Sequence, residues 1–226
     1  DFTVNSMALE LTGEKPEFID PFNGLQDLAA KILRTPVRPG DSFNDDPLRM
    51  MRAARFASQL NFEIAPEVLS SMKDLAHRIS IISAERVRDE FTKIMMSPNP
   101  RIGITLLVDT GLADIVLPEI PKLRLEVDEH HHHKDVYEHS ITVLEQAIEL
   151  EERLSGPNLV IRLAALLHDI GKPKTRAFIE GGGVSFHHHE VVGARLVKKR
   201  LQALRFDNDT IDAVELLTML HLRFHG

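Results

Sequence analysis

The sequence predicts a mainly α-helical protein: a helical body, a second helical domain rich in histidine, and a short β-hairpin at the start. Three observations predict it. Apolar residues recur at helical spacing through most of the chain after Asn23, beginning with Leu25, Leu28, Ala29 and Ile32. Strand-like alternation is confined to residues 1–22, where Phe2 and Val4 and then Met7, Leu9 and Leu11 alternate with polar neighbours. Proline marks the start of successive apolar-periodic runs, at Pro47, Pro66 and Pro157.

Taken in order, Phe2 to Leu9 reads as a strand, Gly13 to Pro16 as a turn, and Glu17 to Asp20 as a returning strand. A first helix is expected over Gly24–Arg34 and a loop over Thr35–Gly40. A second helix follows from Asp45 or Asp46, either of which can cap it, to about Leu60. Its Leu48, Met51, Ala54 and Phe56 can turn inward, while Arg49, Arg52 and Arg55 recur three apart on another face. Pro66 opens a third helix to about Ile79, Ser83 a fourth to Met96, and Pro98 a fifth closed by Gly111. Later helices are expected over Val136–Leu154, from Pro157 through the apolar run to Leu167, from Phe186 to about Leu204, and over Asp209–Arg223. Gly181–Gly183 marks a turn.

The chain has 226 residues, which suits one large or two small domains, and its 43% hydrophobic content allows a substantial core. It contains no cysteine, which excludes disulfides and thiolate metal sites and fits a reducing, cytoplasmic setting. No apolar run approaches membrane-spanning length, and no signal-peptide pattern opens the chain. The formal net charge of −7 argues against unselective binding to nucleic acid, without excluding a local basic surface. Twelve histidines are present, crowded into the second half.

Two constellations carry chemistry. Asp46 and Arg49, one helical turn apart, set an acceptor pair beside a donor fork. Cytosine and adenine each offer an amino donor next to a ring-nitrogen acceptor, which that pair complements. Uracil and guanine place a carbonyl where the amino group would be, so the carboxylate repels them. An N-cap aspartate with a surface salt bridge is the alternative. The second constellation is His168-Asp169, ending an apolar helix, with Gly171 letting the backbone turn away. His139 and His189, supplied by other helices, would complete a sulfur-free nitrogen–oxygen site for divalent ions. Such a site can activate water toward a phosphate ester.

Four segments occurring in order carry a resemblance: Asp1-Phe2-Thr3-Val4-Asn5, Ile19-Asp20-Pro21-Phe22-Asn23-Gly24-Leu25-Gln26-Asp27-Leu28, Asp45-Asp46-Pro47-Leu48-Arg49 through Ala57, and Glu85-Arg86-Val87-Arg88-Asp89-Glu90. Together they resemble the class II tRNA nucleotidyltransferase (CCA-adding enzyme) and bacterial poly(A) polymerase family, over essentially the whole chain. His139, His168-Asp169 and His188-His189-Glu190 onward resemble the HD superfamily of metal-dependent phosphohydrolases.

The first resemblance implies a remnant of the nucleotidyltransferase head over 1–22, a helical neck and body with template and RNA-binding roles over 23–125, and an HD domain over 126–226. It makes Asp46 and Arg49 a protein template, with Arg52 on phosphate or in structural pairing and Asn5 near the nucleotide sugar and phosphates. It makes Glu85, Arg86 and Arg88 a buttress of the template helix, a salt-bridged surface being the alternative. Asn23 and Ser6 stand where the family has glycine and commonly alanine. The implied reaction transfers CMP and AMP from CTP and ATP to the tRNA 3′ end, with two Mg2+ ions held by carboxylates that precede Asp1 in the family. The chain, opening on Asp1, is accordingly read as part of a longer protein, and by itself is not expected to add nucleotides.

The second resemblance implies His139, His168, Asp169 and His189 as ligands of Mg2+, Mn2+ or Ni2+. His188 is an alternate to His189, and His133 and His221 are further candidates. A phosphohydrolase acting on cyclic or short phosphodiesters is thus the alternative function. A non-catalytic RNA-binding scaffold, using the basic Arg195, Lys198, Lys199, Arg200 and Arg205, is a third.

Overall fold

The computed structural model describes residues 1–124, 135–181 and 183–224, so His133, Gly182 and the expected boundary at 125/126 lie outside the described residues. The chain forms two compact units, Asp1–Val116 and Leu117–Gly226.

In the first unit, β1 (Ala8–Glu10) pairs antiparallel with β2 (Glu17–Ile19), Ala8 opposite Ile19. The hairpin is present but shorter than expected. Thr3–Asn5 is a 3-10 turn, not a strand. The alternation there has another cause: Phe2 is fully buried and meets Phe56 edge to face at 5.7 Å, and Thr3 Oγ1 donates to Asp27 Oδ2 at 2.7 Å.

Helix α1 (Gly24–Ala30) follows Asn23, which adopts the left-handed backbone (φ 57°) that asparagine tolerates. Asp20 accepts from the Gly24 and Leu25 N–H groups at 2.7 and 3.0 Å. The chain then forms β3 (Ile32–Leu33), α2 (Pro39–Asp45), α3 (Leu48–Leu60) and β4 (Glu63–Ile64), with β3 and β4 parallel. Helix α2 and the two-residue β3–β4 pairing were not expected from the sequence.

Helix α3 is the core of this unit. Met50, Met51, Ala53, Ala54 and Ala57 are all 0% exposed, and Phe56 stays half-buried, so small residues rather than Phe56 occupy the inner positions. α4 (Pro66–Leu75), α5 (Ala84–Met95), α6 (Pro100–Asp109) and α7 (Leu112–Val116) complete the unit, with α5 and α6 packed on α3.

In the second unit, a 3-10 turn at Pro121–Leu123 precedes α8 (Val136–Leu150), capped by Asp135, whose carboxylate accepts from Tyr137 N at 2.9 Å. α8 ends four residues before the expected Leu154, running into a 3-10 turn at Glu151–Arg153. α9 (Leu159–Leu167), α10 (Lys172–Thr175), the small hairpin β5 (Ala177–Phe178) and β6 (Val184–Ser185), α11 (His189–Ala203) and α12 (Asn208–Leu220) follow. α9 is flanked by α8 and α12, and α12 packs along α11. Tyr137, Ile141, Leu144, Leu163, Leu166, Val197, Leu201 and Val214 form the core, each at most 1% exposed. The last turn, His221–Phe224, is 3-10 rather than a continuation of α12.

Candidate metal centre and template helix

Four segments of the second unit bring histidines to one carboxylate. His139 sits in the first turn of α8, His168 and Asp169 follow the apolar α9, His189 opens α11, and His221 follows α12. Asp169 is 1% exposed, held there because the apolar residues of α9 are buried. Its Oδ2 lies 3.1 Å from His168 Nε2 and 3.7 Å from His139 Nε2. Its Oδ1 lies 3.2 Å from His189 Nε2 and 3.7 Å from His221 Nε2.

The other ring nitrogens fix the tautomers. Nδ1 of His168, His189 and His221 lies 2.8, 2.9 and 2.6 Å from the carbonyls of Ala165, Phe186 and Thr218. A carbonyl only accepts, so each Nδ1 carries a hydrogen and each Nε2 turns its lone pair toward the cluster when neutral. His189 and His221 then face each other, Nε2 to Nε2, across 3.2 Å, and His168 and His139 across 3.3 Å. The opposed lone pairs of His189 and His221 at that distance repel unless a proton or a cation lies between them. The donor set of imidazoles around one carboxylate therefore fits a divalent transition metal.

The electrostatics agree. Burial opposes charge on Asp169, but hydrogen bonds from His168, His189 and Lys172 hold its carboxyl well below the usual carboxylate range. The Asp169 hydrogen bond raises the pKa of His189, whereas burial lowers that of His221. Lys172 Nζ donates to Asp169 Oδ2 at 2.7 Å.

Of the residues proposed from sequence, His139, His168, Asp169 and His189 converge, and His221 joins them. His188 does not: it takes a left-handed backbone (φ 58°) and its side chain is 83% exposed near Glu190. Gly171 lies in the turn after α9, as expected, with an ordinary φ of −76° that does not itself require glycine. Glycine is required there by close approach: a Cβ would lie 2.1 Å from the His189 carbonyl oxygen and 2.7 Å from Gly193 N. Beside the histidines opens a cavity of about 390 Å³, walled by Val143, Ile161, Ala164, Ala165 and Leu217.

In the first unit, Asp46 precedes α3. Its Oδ1 accepts from Leu48 N at 3.1 Å and its Oδ2 from Arg86 Nη2 at 3.1 Å. Arg49 donates to the Ser42 carbonyl at 3.1 Å, and its Nη2 lies 3.0 Å from Asp45 Oδ2. Thus Asp46 accepts from the first N–H of α3, and Arg49 pairs with Asp45 at the end of α2 and, at 3.5 Å, with Asp1. Arg52 donates to both oxygens of Asp1 at 3.0 Å. Asn5 Oδ1 accepts from Phe2 N at 2.9 Å.

Among the expected buttress residues, Arg86 reaches Asp46, Arg88 pairs with its neighbour Asp89, and Glu85 is exposed. Sequence reasoning missed Glu90. It is 3% exposed and meets Arg52 at 3.4 Å and Arg55 at 2.6 Å, so it anchors the arginine face of α3. A glutamate at an apolar position of α5, between Val87 and Phe91, was the available signal.

Residues 61–123 match the family described as the probable RNA and SrmB-binding site of polymerase A, and residues 136–226 match the HD domain. The A-adding tRNA nucleotidyltransferase of Deinococcus radiodurans is 36% identical over 98% of this chain and 51% of that protein. The multifunctional CCA protein of Neisseria meningitidis serogroup A is 37% identical over 100% of this chain and 52% of that protein. Over essentially its whole length this chain is similar to tRNA nucleotidyltransferases, and its second unit matches the HD domain. Among solved structures, the Bacillus stearothermophilus CCA-adding enzyme in complex with CTP matches with a TM-score of 0.58 at 25% identity, over 98% of this chain and 45% of that one. The chain spans about half the length of the curated relatives it matches. The HD-domain match implies a divalent metal, and the two overlapping groups His139–His168–Asp169 and Asp169–His189–His221 are its candidate holders among the described residues. No helix among the described residues is long and apolar enough to cross a membrane.

Proposed function

We propose that this chain supplies the nucleotide-selecting helix and the HD unit of a cytoplasmic enzyme that transfers CMP and AMP from CTP and ATP to tRNA 3′ ends. Its observation is the bracing of Asp46 by Arg86 at the start of α3, one helical turn from Arg49. A carboxylate oxygen has more than one lone pair, so Asp46 keeps acceptor capacity for the amino group of cytosine or adenine while Leu48 and Arg86 hold it. Arg49 donates to the ring nitrogen by exchanging a contact with Ser42 or Asp45. Arg52 and Asn5 serve the phosphates and sugar. Residues of the 61–123 segment contribute to the tRNA grip, and Mg2+ serves the transfer chemistry of the whole protein. In the full-length protein, Asp46→Ala and Arg49→Ala are expected to lower CMP and AMP transfer at least about 100-fold, the size of loss typical for a selecting group that acts in the transition state. Unchanged transfer and unchanged C and A selectivity would remove this reading.

A second activity is favoured by the His–Asp cluster: hydrolysis of a cyclic or short phosphodiester. His139, His168, Asp169 and His189, with His221 beside them, would hold Mg2+, Mn2+ or Ni2+, which when bound supplies Lewis-acid activation of water and phosphate. The chain's own part is to fix each Nε2 through a backbone carbonyl, keep Asp169 ionised, and receive the organic part of the ester in the adjoining cavity. Metal-dependent cleavage of 2′,3′-cyclic nucleotides, lost in His168→Ala and Asp169→Ala, is the expected result. Absence of cleavage with all three ions would leave the HD unit without this activity.

A further inference from the structure

The helix α11 carries five basic residues along its length and just beyond it, and the structure separates them. Lys198 is engaged by Glu215 at 3.2 Å and Arg200 by Glu119 at 2.9 and 3.0 Å, and Arg205 also has a partner. Lys199 instead borders a concave site of about 230 Å³ where α10, α11 and the Pro121–Leu123 turn meet. Lys122 and Lys174 stand on the same rim, and Pro118, Ile170, Pro173 and Leu196 contribute apolar lining. The three lysines are exposed, and among the described residues none has a carboxylate partner. Among the described residues Glu119 is the single acid lining the site, and its charge is already matched by Arg200 through two hydrogen bonds. A chain of net charge −7 therefore carries, among its described residues, a local concentration of three cations without a carboxylate partner.

We propose that this lysine rim docks backbone phosphates of RNA. The inference rests on the reading that RNA is a partner of this protein, and adds a contact surface outside the 61–123 segment. Flexible ammonium groups on an apolar floor suit successive phosphates of a polyanion better than one small anion. A selective small-anion site needs fixed forks or buried donors, and the one guanidinium here is held by Glu119. Attraction by the protein as a whole is unfavourable at this net charge, so binding depends on contacts made locally, each releasing counterions. The placement is informative as well. Ile170 lines the site while its neighbour Asp169 turns to the histidines, so a strand held here is anchored on the turn that carries the metal-centre carboxylate.

The test is the salt dependence of binding between the 226-residue chain and a tRNA transcript lacking its terminal CCA. Replacing Lys122, Lys174 and Lys199 together by glutamine should make the slope of log K against log salt shallower by about 2 to 3, the counterion count for three lost phosphate contacts. Replacing all three by arginine should preserve the slope. The single variants Lys174→Gln and Lys199→Gln, compared at matched thermal midpoint, should each remove a little under one from it, which keeps the test valid if the triple variant folds poorly. RNA binding with an unchanged slope in the glutamine variants overturns the inference while leaving RNA as a partner. No binding by the parent chain overturns both.

Discussion

Asp169 Oδ1 lies 3.2 Å from His189 Nε2, joining the turn after α9 to the first residue of α11. The opposite oxygen faces His168 and His139, so one buried carboxylate gathers histidines from several helical segments and keeps its charge through hydrogen bonds from His168, His189 and Lys172. Asp169→Asn removes the charge without much change in shape. It should weaken Mn2+ or Ni2+ binding at least about 100-fold by calorimetric titration, beyond the roughly 10- to 100-fold seen for groups that only orient ligands. The pH dependence has a definite sign. Asp169 raises the pKa of His189, and a proton on His189 competes with the ion, so affinity should fall as pH drops through that raised value and proton release should accompany binding. Equal affinity for parent and Asn variant would exclude Asp169 as a ligand.

Arg86 holds Asp46 from the neighbouring helix α5, across the start of α3. Its side chain is 49% exposed, so the ion pair adds less than about 1 kcal/mol to stability. On the proposed reading its value lies in orientation. Arg86→Ala should therefore leave the thermal midpoint nearly unchanged, yet weaken CTP binding about 10-fold in the full-length protein, less than Asp46→Ala does. An Arg86→Ala protein with parental CTP affinity would show that Asp46 needs no brace.

Glu151 and Arg162 pair at 2.7 Å with side chains only 6% and 4% exposed, and Glu151 also accepts from Asn158 N at 3.1 Å, beside the start of α9. The Arg162 hydrogen bond lowers the Glu151 pKa below 4.5. A depressed folded-state pKa contributes stability that is full above the unfolded value and is lost as pH falls through the folded value. Glu151→Gln leaves Arg162 buried without its counter-charge and should cost about 3–5 kcal/mol in urea unfolding near neutral pH. The difference from the parent should shrink on acidification below about 4.5, the unperturbed value, as the parent loses the same charge. A cost under about 1 kcal/mol would mean that Arg162 finds another acceptor or reaches water.

The helices most legible in the sequence were those whose signals are local. Pro47 and the helical spacing of apolar residues in α3, Ser83 before α5, and the apolar α9, broken only by Arg162, each declare themselves within one helical length. His168-Asp169 was legible for the same reason, because adjacency needs no tertiary contact. Helix α2 was hidden because Pro39, Gly40, Asp41 and Ser42 are turn formers by composition, and it is Phe43, 0% exposed, that anchors the helix in the core. The β3–β4 pair joins Ile32 to Glu63 through two residues per strand, too short for periodicity to register. His221 could not be ranked above His188 from spacing, since the choice depends on the left-handed backbone at His188 and on the 3-10 turn that follows α12.

Gly171 connects that architecture to the site. Its backbone packs so closely on the start of α11 that a Cβ would lie 2.1 Å from the His189 carbonyl oxygen and 2.7 Å from Gly193 N. Both obstructions are backbone, so no side-chain rotation relieves them. Gly171→Ala must push α11 away from the turn after α9, and with it His189 from Asp169. The expected cost is about 1–3 kcal/mol of overpacking, together with a loss of metal affinity approaching that of Asp169→Asn. Gly40→Ala supplies the contrast. That residue lies in α2, its nearest obstruction is Ser71 Oγ at 3.9 Å, and alanine favours the helix by about 0.5–1 kcal/mol. Gly40→Ala should therefore match or exceed the parent in stability and bind the ion with unchanged affinity. If Gly171→Ala instead bound the ion as the parent does, the metal centre would tolerate displacement of α11, and the tight Gly171–His189 contact would serve packing alone.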